Sequence, residues 1–233
     1  MTDFCSVIMV HYPANAERVA MLKRTLDTLE CGGYPYELLV AFHYPPEMPP
    51  CADDAFAFLV AKQRAGKITH LLINGANLWL HGGRNQLFKL ADGAYITITD
   101  DDLEFSPGWL KDCIECLEKF PQFTLIATPL LIPARDSAHV VRAIVEGYRE
   151  TARGGSNCMV MKRETLTAAG PFLAHWNSGG KFYDRTARLG CRIFALPENK
   201  AAHLAATKSQ SINFSARVQP WIKTLATGET VNL

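Results

Sequence analysis

Three consecutive aspartates, Asp100, Asp101 and Asp102, follow an apolar segment of strand length, 95–99. Adjacent carboxylates repel one another and burial increases the penalty, so such a triplet is stable where solvent or a cation satisfies it. In an extended chain, Asp100 and Asp102 project to the same side and converge on one ligand. Oxygen ligands suit Mg²⁺ or Mn²⁺, which complete their coordination with phosphate oxygens and water. The triplet therefore indicates either a site for a divalent cation and a phosphorylated ligand, or a solvated acidic turn before the next helix.

Two other kinds of metal site fit the sequence poorly. A calcium loop of the EF-hand type that began at Asp100 would place Phe105 where glycine is required and Lys111 where the bidentate glutamate is required. Cys113 and Cys116 share one face of a helical segment, but no second Cys or His pair stands at zinc-finger spacing. We therefore interpret the seven cysteines as reduced, mostly buried thiols rather than as metal or redox groups.

Alternating strand and helix signals up to Thr99 predict the scaffold that positions the triplet. Short apolar runs alternate with segments in which apolar residues recur at helical spacing. The predicted strands are 5–11, 37–43, 68–73 and 95–99, and the predicted helices are 18–30, 53–66 and 83–91. This alternation predicts an α/β fold: a Rossmann-like, mostly parallel sheet with helices on both faces, in which ligands bind at the carboxyl ends of the strands.

The chain after the triplet is less regular. Ser106 followed by Pro107 predicts a helix start, because proline at the first helical position loses no needed donor. Further strands are predicted over 123–132, 157–161 and 191–196, with a short helix near Glu164. The glycine-containing segment 175–180 is a candidate lid, since glycines serve as permissive hinges.

The bulk composition is that of a globular enzyme without a strong charge bias. Lys plus Arg is 24 and Asp plus Glu is 23, so a net charge of +1 provides no overall field for nucleic acid or an anionic membrane. No apolar run reaches the roughly 18 residues that a membrane-spanning helix needs. The first residues lack the basic and apolar regions of a secretion signal. We therefore expect a cytoplasmic protein without a transmembrane segment.

Several motifs in order resemble those of family-2-type GT-A glycosyltransferases. These enzymes carry an Arg-Asn or Ala-Asn helix start, an A-x-G-x-Y-I strand, an Asp-x-Asp motif and a Pro-Gly-Trp-Leu helix. The corresponding residues are Arg84-Asn85, Ala91-Asp-Gly-Ala-Tyr-Ile96, Asp100-Asp101-Asp102 and Pro107-Gly108-Trp109-Leu110. The resemblance extends more loosely over the whole chain, through Val7 to Leu29 and Gly154 to Arg163.

The resemblance implies the GT-A fold and a metal-dependent, inverting transfer of a sugar from a nucleoside diphosphate to an acceptor hydroxyl. It implies nucleotide contacts from His11, Tyr12, Arg84, Asn85, Asp100 and Asp101. It also implies Mn²⁺ or Mg²⁺ on Asp102, with His203 as a further ligand, since imidazole suits Mn²⁺. His203 as a structural or surface residue is the alternative.

Asp184 matches the aspartate that serves as general base in the family. An acceptor hydroxyl is a poor nucleophile until a positioned base takes its proton. One base and one metal then suffice for a single displacement, whereas a glycosidase needs two carboxylates that flank the bond. The alternative for Asp184 is the N-cap of a helix.

Aromatic residues are candidates for stacking on sugars. Trp176 and Asn177, in the polar segment 175–180, are the predicted sugar or acceptor contacts. Trp109 is instead predicted to pack its helix onto the sheet, because large aromatic side chains mostly lie in the core.

Two departures from the family pattern bear on these roles. The second strand usually ends in an aspartate that contacts the base, but here it ends Ala41-Phe42-His43-Tyr44. A UDP-sugar is the expected donor from the resemblance, with His43 as a substitute contact to the base. After Asp184, only five residues precede Gly190, fewer than in the usual helix.

The expected organisation is one GT-A domain with two halves and a tail: 1–104 for the nucleotide sugar, 105–203 for the acceptor and 204–233 at the end. The acceptor stays open among a glycan, a lipid-linked molecule, a protein, a small metabolite and modified nucleic acid. A sugar-1-phosphate nucleotidyltransferase would need a glycine-rich phosphate loop, which Val10 to Pro13 does not offer. The remaining alternative is a catalytically inactive module that binds a nucleotide sugar or a glycan.

Overall fold

The computed structural model describes residues 3–44, 46–47, 49–120, 125–129, 141–152, 157–173 and 178–204. Within these residues, nine strands form one large sheet. In chain order they are β1 (Cys5–His11), β2 (Tyr36–His43), β3 (His70–Asn74), β4 (Tyr95–Thr99), β6 (Leu125–Thr128), β7 (Val141–Val145), β8 (Tyr148–Thr151), β9 (Cys158–Lys162) and β10 (Arg192–Ala195), with β5 (Leu103–Phe105) and β11 (Ala201–His203) forming a separate pair.

The order of strands across the large sheet is β3-β2-β1-β4-β9-β6-β10-β8-β7. The first four are parallel to one another, as the strand–helix alternation predicted. β9 is antiparallel to both β4 and β6, and β8 is antiparallel to both β10 and β7. All strands of this sheet except β8 and β9 therefore run in one direction, and the carboxyl ends of β1 to β4 meet at one edge.

In the part of the chain that the structure describes, six helices cover the two faces of the sheet. They are α1 (Ala16–Leu29), α2 (Cys51–Arg64), α3 (Trp79–Phe88), α4 (Trp109–Lys119), α5 (Arg163–Ala169) and α6 (Ser178–Arg188), and a single 3-10 turn, Glu30–Gly32, follows α1. Alternate residues of a strand point to opposite faces. Val7 and Met9 of β1 accordingly share a core with α1, α2 and α4, whereas Ile8 and Val10 share a second core with α3, α5 and α6.

The Trp109 side chain confirms its predicted packing role. It is fully buried and stacks on Phe105 with ring centroids 4.3 Å apart. Its indole N–H donates to the Leu29 carbonyl at 3.3 Å, which satisfies the one polar group of the ring. Cys113 and Cys116 lie beside it in the same buried core.

Several predicted boundaries differ from those of the structure. The Asp53-Asp54 pair does not cap α2, because the helix begins two residues earlier, at Cys51. The helix predicted from Pro107 begins at Trp109, after Gly108, whose φ of +77° favours glycine. Gly179 and Gly180 lie inside α6 rather than in a lid, and residues 174–177 of that segment lie outside the described residues.

The short β5–β11 pair has a direct consequence for the triplet. β5 follows Asp102 immediately, and β11 runs antiparallel to it, with His203 opposite Leu103. The backbone N–H of Leu204 also donates to the Asp102 carbonyl at 2.8 Å. This pairing returns the end of the described chain to the edge where the parallel strands terminate. Within the described residues, no helix has the length and apolar character needed to cross a membrane.

Candidate active site at the carboxyl ends of the parallel strands

A cavity of about 330 Å³ opens where β1, β2 and β4 end. Sheets of this kind bind ligands in this crevice, because the connections to the next helices part there. The described residues that line it are Val10, Tyr12, Ala14, Asn15, Arg18, His43, Asn77, Leu80, Asp100, Asp101, Asp102, Asn157 and His203.

Asp101 and Asp102 share one guanidinium, that of Arg18. Arg18 lies in the first turn of α1, and its Nη1 donates to Asp102 Oδ2 at 2.6 Å while its Nη2 contacts Asp101 Oδ1. Both carboxylates are buried. Burial alone would raise the pKa of Asp101, but the Arg18 charge and the bond from His11 outweigh it and hold that pKa below its usual range.

Asp100 has a separate set of partners. Its Oδ1 accepts from Arg84 Nη2 at 2.7 Å and its Oδ2 accepts from Asn157 Nδ2 at 3.1 Å. Burial raises the pKa of the Asp100 carboxyl, Arg84 opposes that rise, and the charges of Asp102 and Asp101 add to it. The three carboxylates are thus held by two arginines, one for Asp100 and one for the other two.

This pairing corrects the expectation that Asp100 and Asp102 converge on one ligand. The chain bends at Asp101 and Asp102 instead of continuing as a strand. The alternation of side chains that holds in an extended chain is lost there, so Asp101 and Asp102 converge on a common partner and Asp100 turns to another.

His203 reaches the triplet from the far end of the described chain. Its Nε2 lies 3.6 Å from Asp102 Oδ2, and its side chain is about one-third exposed, at 32%. Its position follows from the register of β11 on β5. The structure therefore brings the two predicted metal ligands together.

The residues around Asp102 fit a divalent cation in part. Asp102 Oδ1 is buried and has no hydrogen-bond partner among the described residues. A buried carboxylate oxygen without a partner is costly, and a cation or a bound polar ligand would satisfy it. Across the described residues, no group of three or more His, Cys, Asp or Glu side chains is arranged to hold a metal ion. Asp102 and His203 could thus supply two ligands, which suits a cation whose other ligands are phosphate oxygens and water.

His11 and Tyr12 occupy different environments although they are adjacent. Tyr12 lines the cavity, whereas His11 is fully buried and is not among its lining residues. His11 Nδ1 bonds to Asp101 Oδ2, and its ring stacks on Phe42 at 5.9 Å. The structure thus gives His11 a contact that positions Asp101.

His43 lines the cavity with both ring nitrogens engaged. Its Nε2 lies 3.2 Å from the Trp79 carbonyl, and its Nδ1 lies 3.3 Å from Asn74 Nδ2. Because a carbonyl only accepts, Nε2 carries the proton and Nδ1 accepts from Asn74. Burial lowers the pKa of His43 to about 4, so the ring is neutral at physiological pH. A nucleotide base would therefore meet the ring face rather than a free nitrogen.

The Arg84-Asn85 pair at the centre of α3 reaches past the cavity lining. Arg84 is buried, pairs with Asp100 and lies 5.6 Å from the Phe172 ring. The Asn85 side chain donates to the Phe172 carbonyl at 2.8 Å and accepts from the Phe172 N–H at 2.9 Å. Arg84 thus ties α3 to the triplet, and both residues tie it to the segment after α5.

Of the residues predicted to act on the acceptor, the structure describes Asp184 but not Trp176 or Asn177. Asp184 lies in the middle of α6, so the alternative that it caps a helix is wrong. It is not among the described residues that line the cavity. Trp176 and Asn177 lie outside the described residues.

Among the lining residues that were not predicted, Arg18 and Asn157 bond to the triplet. Arg18 carries one sequence signal, because a cation in the first turn of a helix opposes the helix dipole and calls for an anionic partner elsewhere. The identity of that partner, 83 and 84 residues further along the chain, depends on the fold. Asn157 is the first residue of a predicted strand and carried no such signal.

Comparisons with known proteins support the resemblance that the motifs suggest. A family model described as glycosyl transferase family 2 matches residues 51–155. The resemblance to family-2-type GT-A glycosyltransferases is confirmed. Comparison with curated protein sequences gives no match.

Three solved structures are similar over most of the chain. A mannosyltransferase from Pyrobaculum calidifontis, in complex with GDP-Man and Mn²⁺, has a TM-score of 0.69 at 17% identity, over 97% of this chain. S. aureus TarS 1-349 has a TM-score of 0.58 at 15% identity, and GalNAc-T7 with UDP, GalNAc and Mn²⁺ has a TM-score of 0.65 at 13% identity, each over 86% of this chain. The match spans 65%, 59% and 43% of the respective proteins. The fold is therefore GT-A.

Proposed function

We propose that this chain of GT-A fold transfers a sugar from a nucleoside-diphosphate donor to an acceptor hydroxyl, with inversion and with the help of a divalent cation. One observation supports the proposal most: the cavity at the carboxyl ends of β1, β2 and β4 gathers the whole acidic triplet together with His203. These residues are distant in sequence, and their convergence at the expected ligand crevice is difficult to explain as a solvated acidic turn.

The proposed cation lies on Asp102 and His203. Asp102 contributes the buried Oδ1 that has no partner among the described residues, and His203 approaches from β11. Mn²⁺ or Mg²⁺ bound there would stabilise, as a Lewis acid, the negative charge that grows on the leaving diphosphate.

The proposed nucleotide site is the part of the cavity between Tyr12 and His43. Asp100 and Asp101 hold the ribose and the nucleotide, and His11 and Arg84 hold these carboxylates in place. The engaged nitrogens of His43 favour stacking over direct hydrogen bonding to the base. A UDP-sugar is the first donor to test, and GDP- and other nucleoside-diphosphate sugars complete the panel.

Asp184 is the proposed general base. A positioned carboxylate that takes the proton of the acceptor hydroxyl contributes roughly 10²–10⁴-fold to the rate. Attack from the side opposite the diphosphate in a single displacement inverts the anomeric centre. The acceptor itself stays open among glycan, lipid-linked, protein, small-metabolite and nucleic-acid hydroxyls.

The test is release of nucleoside diphosphate from a panel of nucleotide sugars in the presence of Mn²⁺. We expect turnover with one donor class, and a loss of roughly 10²–10⁴-fold in Asp184→Asn with metal-dependent nucleotide binding intact. Asp54→Asn is the matched control, since Asp54 is exposed and pairs with Lys23 on the surface.

The outcomes separate the enzyme from the alternative of an inactive binding module. Donor binding by the wild-type chain without turnover on any acceptor would support the module. Absence of both binding and turnover with every donor would contradict the proposal altogether.

A further inference from the structure

The acidic triplet is already paired with a cation of the protein, next to the position where a divalent ion is proposed. Arg18 donates to Asp102 Oδ2 at 2.6 Å and contacts Asp101 Oδ1, so it spans the two carboxylates. All three residues line the cavity, but the Asp101 and Asp102 side chains are only 5% and 6% exposed, whereas the Arg18 side chain is 18% exposed. The guanidinium is thus the accessible member of a buried ion cluster.

The cluster depends on Arg18 for its charge balance. Arg84 pairs with Asp100, and Arg18 is the arginine that holds both other carboxylates. Without it, two buried carboxylates would lie side by side and repel each other, and an uncompensated buried charge strongly destabilises a protein. Arg18 therefore acts as the counter-ion of Asp101 and Asp102.

A divalent cation on Asp102 must contend with this guanidinium. A cation on Asp102 Oδ1 would lie close to Nη1 of Arg18, which bonds to the other oxygen of the same carboxylate. Two positive charges on one carboxylate repel each other, and the low dielectric of a buried site strengthens that repulsion. The cation binds well only if Arg18 gains another anionic partner.

The diphosphate of the donor would be such a partner. The planar fork of arginine matches phosphate oxygens as well as carboxylates and makes paired, charge-assisted hydrogen bonds to either. Arg18 also projects from the first turn of α1, and the N-terminus of a helix favours phosphate groups.

We propose that Arg18 is a built-in competitor of the divalent cation, which releases Asp101 and Asp102 when a diphosphate arrives to receive its guanidinium. This inference rests on the proposed function. It makes cation and nucleotide binding mutually dependent: each ligand binds weakly alone and tightly with the other, and Arg18 is the coupling element.

The test measures Mn²⁺ binding directly, by the electron paramagnetic resonance signal of the free aqua ion, in the full chain with and without UDP or GDP. The variants are Arg18→Gln, Arg18→Lys and the matched control Arg24→Gln. Arg24 lies on the same helix and pairs with the exposed Glu104. In the wild-type chain, we expect a nucleotide to tighten Mn²⁺ binding by at least about tenfold, within the usual range of coupling between sites.

In Arg18→Gln, we expect Mn²⁺ alone to bind about tenfold more tightly than in the wild-type chain, and the effect of the nucleotide to shrink to about threefold or less. Arg18→Lys keeps the positive charge but loses the planar fork of arginine. Its Mn²⁺ affinity and the effect of the nucleotide should therefore lie between those of the wild-type chain and Arg18→Gln. Arg24→Gln should behave as the wild-type chain. Thermal unfolding provides a second measurement. Without Mn²⁺, Arg18→Gln should melt at a lower temperature than the wild-type chain, and added Mn²⁺ should raise its melting temperature by more than that of the wild-type chain.

Two results would overturn the inference, and they differ. If nucleotide and Mn²⁺ bind the wild-type chain but Mn²⁺ affinity without nucleotide is unchanged or weaker in Arg18→Gln and Arg18→Lys, Arg18 does not compete and the proposed function stands. If neither the wild-type chain nor any variant binds Mn²⁺ in the presence of UDP or GDP, the inference and the metal part of the proposed function fail together.

Discussion

At the scale of single residues, the two oxygens of Asp102 have different roles. Oδ2 accepts from Arg18 and lies 3.6 Å from His203, while Oδ1 is buried without a hydrogen-bond partner among the described residues. A purely structural carboxylate would be expected to have both oxygens satisfied. The unsatisfied oxygen is the structural reason to expect a ligand at this atom.

Replacing Asp102 by asparagine tests that expectation. The amide keeps the size of the side chain but removes the negative charge, so the proposed cation loses its main ligand. We expect Mn²⁺ binding to fall below detection and the transfer rate to drop by at least about 100-fold, because Lewis-acid stabilisation contributes several kcal/mol. Isothermal titration with Mn²⁺ and initial rates with and without a chelator measure both effects. Undiminished activity that a chelator still abolishes would place the cation elsewhere.

His43 makes a separate prediction about stability and pH. Burial holds its folded-state pKa at about 4, below the ordinary value of 6.5. Below pH 6.5 the unfolded chain therefore binds a proton that the folded chain does not, and stability falls as the pH drops towards 4. Each pH unit in this window lowers the free energy of unfolding by up to about 1.4 kcal/mol.

The His43→Gln variant isolates this contribution, because glutamine can hydrogen-bond but does not titrate. We expect the difference in unfolding free energy between the wild-type chain and the variant to shift by about 1.6 kcal/mol in favour of the variant from pH 6.5 to 5. Urea unfolding at several pH values provides the measurement. A difference that stays constant with pH would show that His43 titrates normally in the folded state.

At the scale of elements, the sequence predicted β1 and β4 to the residue, because each is a short apolar run that ends at polar or acidic residues. It predicted α3 to begin at Gly83, whereas the helix begins at Trp79, because tertiary packing overrides the low helix propensity of Gly82 and Gly83. It missed α6 for the same reason at Gly179 and Gly180. The three-residue strands β5 and β11 have no periodicity to detect, yet their pairing places His203.

The close packing around Gly83 explains why α3 has a glycine in its interior. A Cβ at this position would lie 2.8 Å from Val10 Cγ2 and 3.2 Å from His43 Nε2, two side chains that line the cavity. The absence of a side chain therefore lets α3 approach the ends of β1 and β2 closely enough to form one wall of the site. In this helix, packing against the sheet matters more than backbone propensity.

We expect Gly83→Ala to lower both stability and nucleotide affinity. Overpacking against a stiff, buried valine costs about 1–3 kcal/mol, which exceeds the gain of roughly 1 kcal/mol in helix propensity. Gly82→Ala is the control, because it carries the same gain in propensity and its Cβ would meet Leu78 alone, at 3.0 Å. Chemical denaturation and nucleotide titration measure the two effects. Wild-type stability and affinity in Gly83→Ala would show that α3 can shift without consequence.

At the scale of the whole molecule, the candidate site draws on almost the full length of the described chain. Tyr12 and Arg18 come from its start, the triplet from its middle, and Asn157 and His203 from beyond the match to the family model, which ends at residue 155. The predicted halves, 1–104 and 105–203, therefore both contribute to one cavity. Local pattern identified the triplet and the parallel strands. Apart from Arg84, which is 16 residues from Asp100, the partners of the triplet lie 57 to 101 residues away along the chain, and no local pattern records such contacts.

A site assembled in this way links ligand binding to the stability of the whole fold. A ligand that binds only the folded chain stabilises it by about 2.7 kcal/mol at 100 times its dissociation constant. For a domain of this size, we expect Mn²⁺ with the correct nucleoside diphosphate to raise the melting temperature by about 5–10 °C. Because the two halves share the cavity, far-UV circular dichroism and tryptophan fluorescence should report the same single transition and the same shift.

His203→Ala should reduce the rise in melting temperature that Mn²⁺ and the nucleotide produce. It should leave the melting temperature without ligand almost unchanged, since His203 is partly exposed. Two transitions, of which the ligand moves only one, would instead mean that the halves unfold independently and that the cavity belongs to one of them.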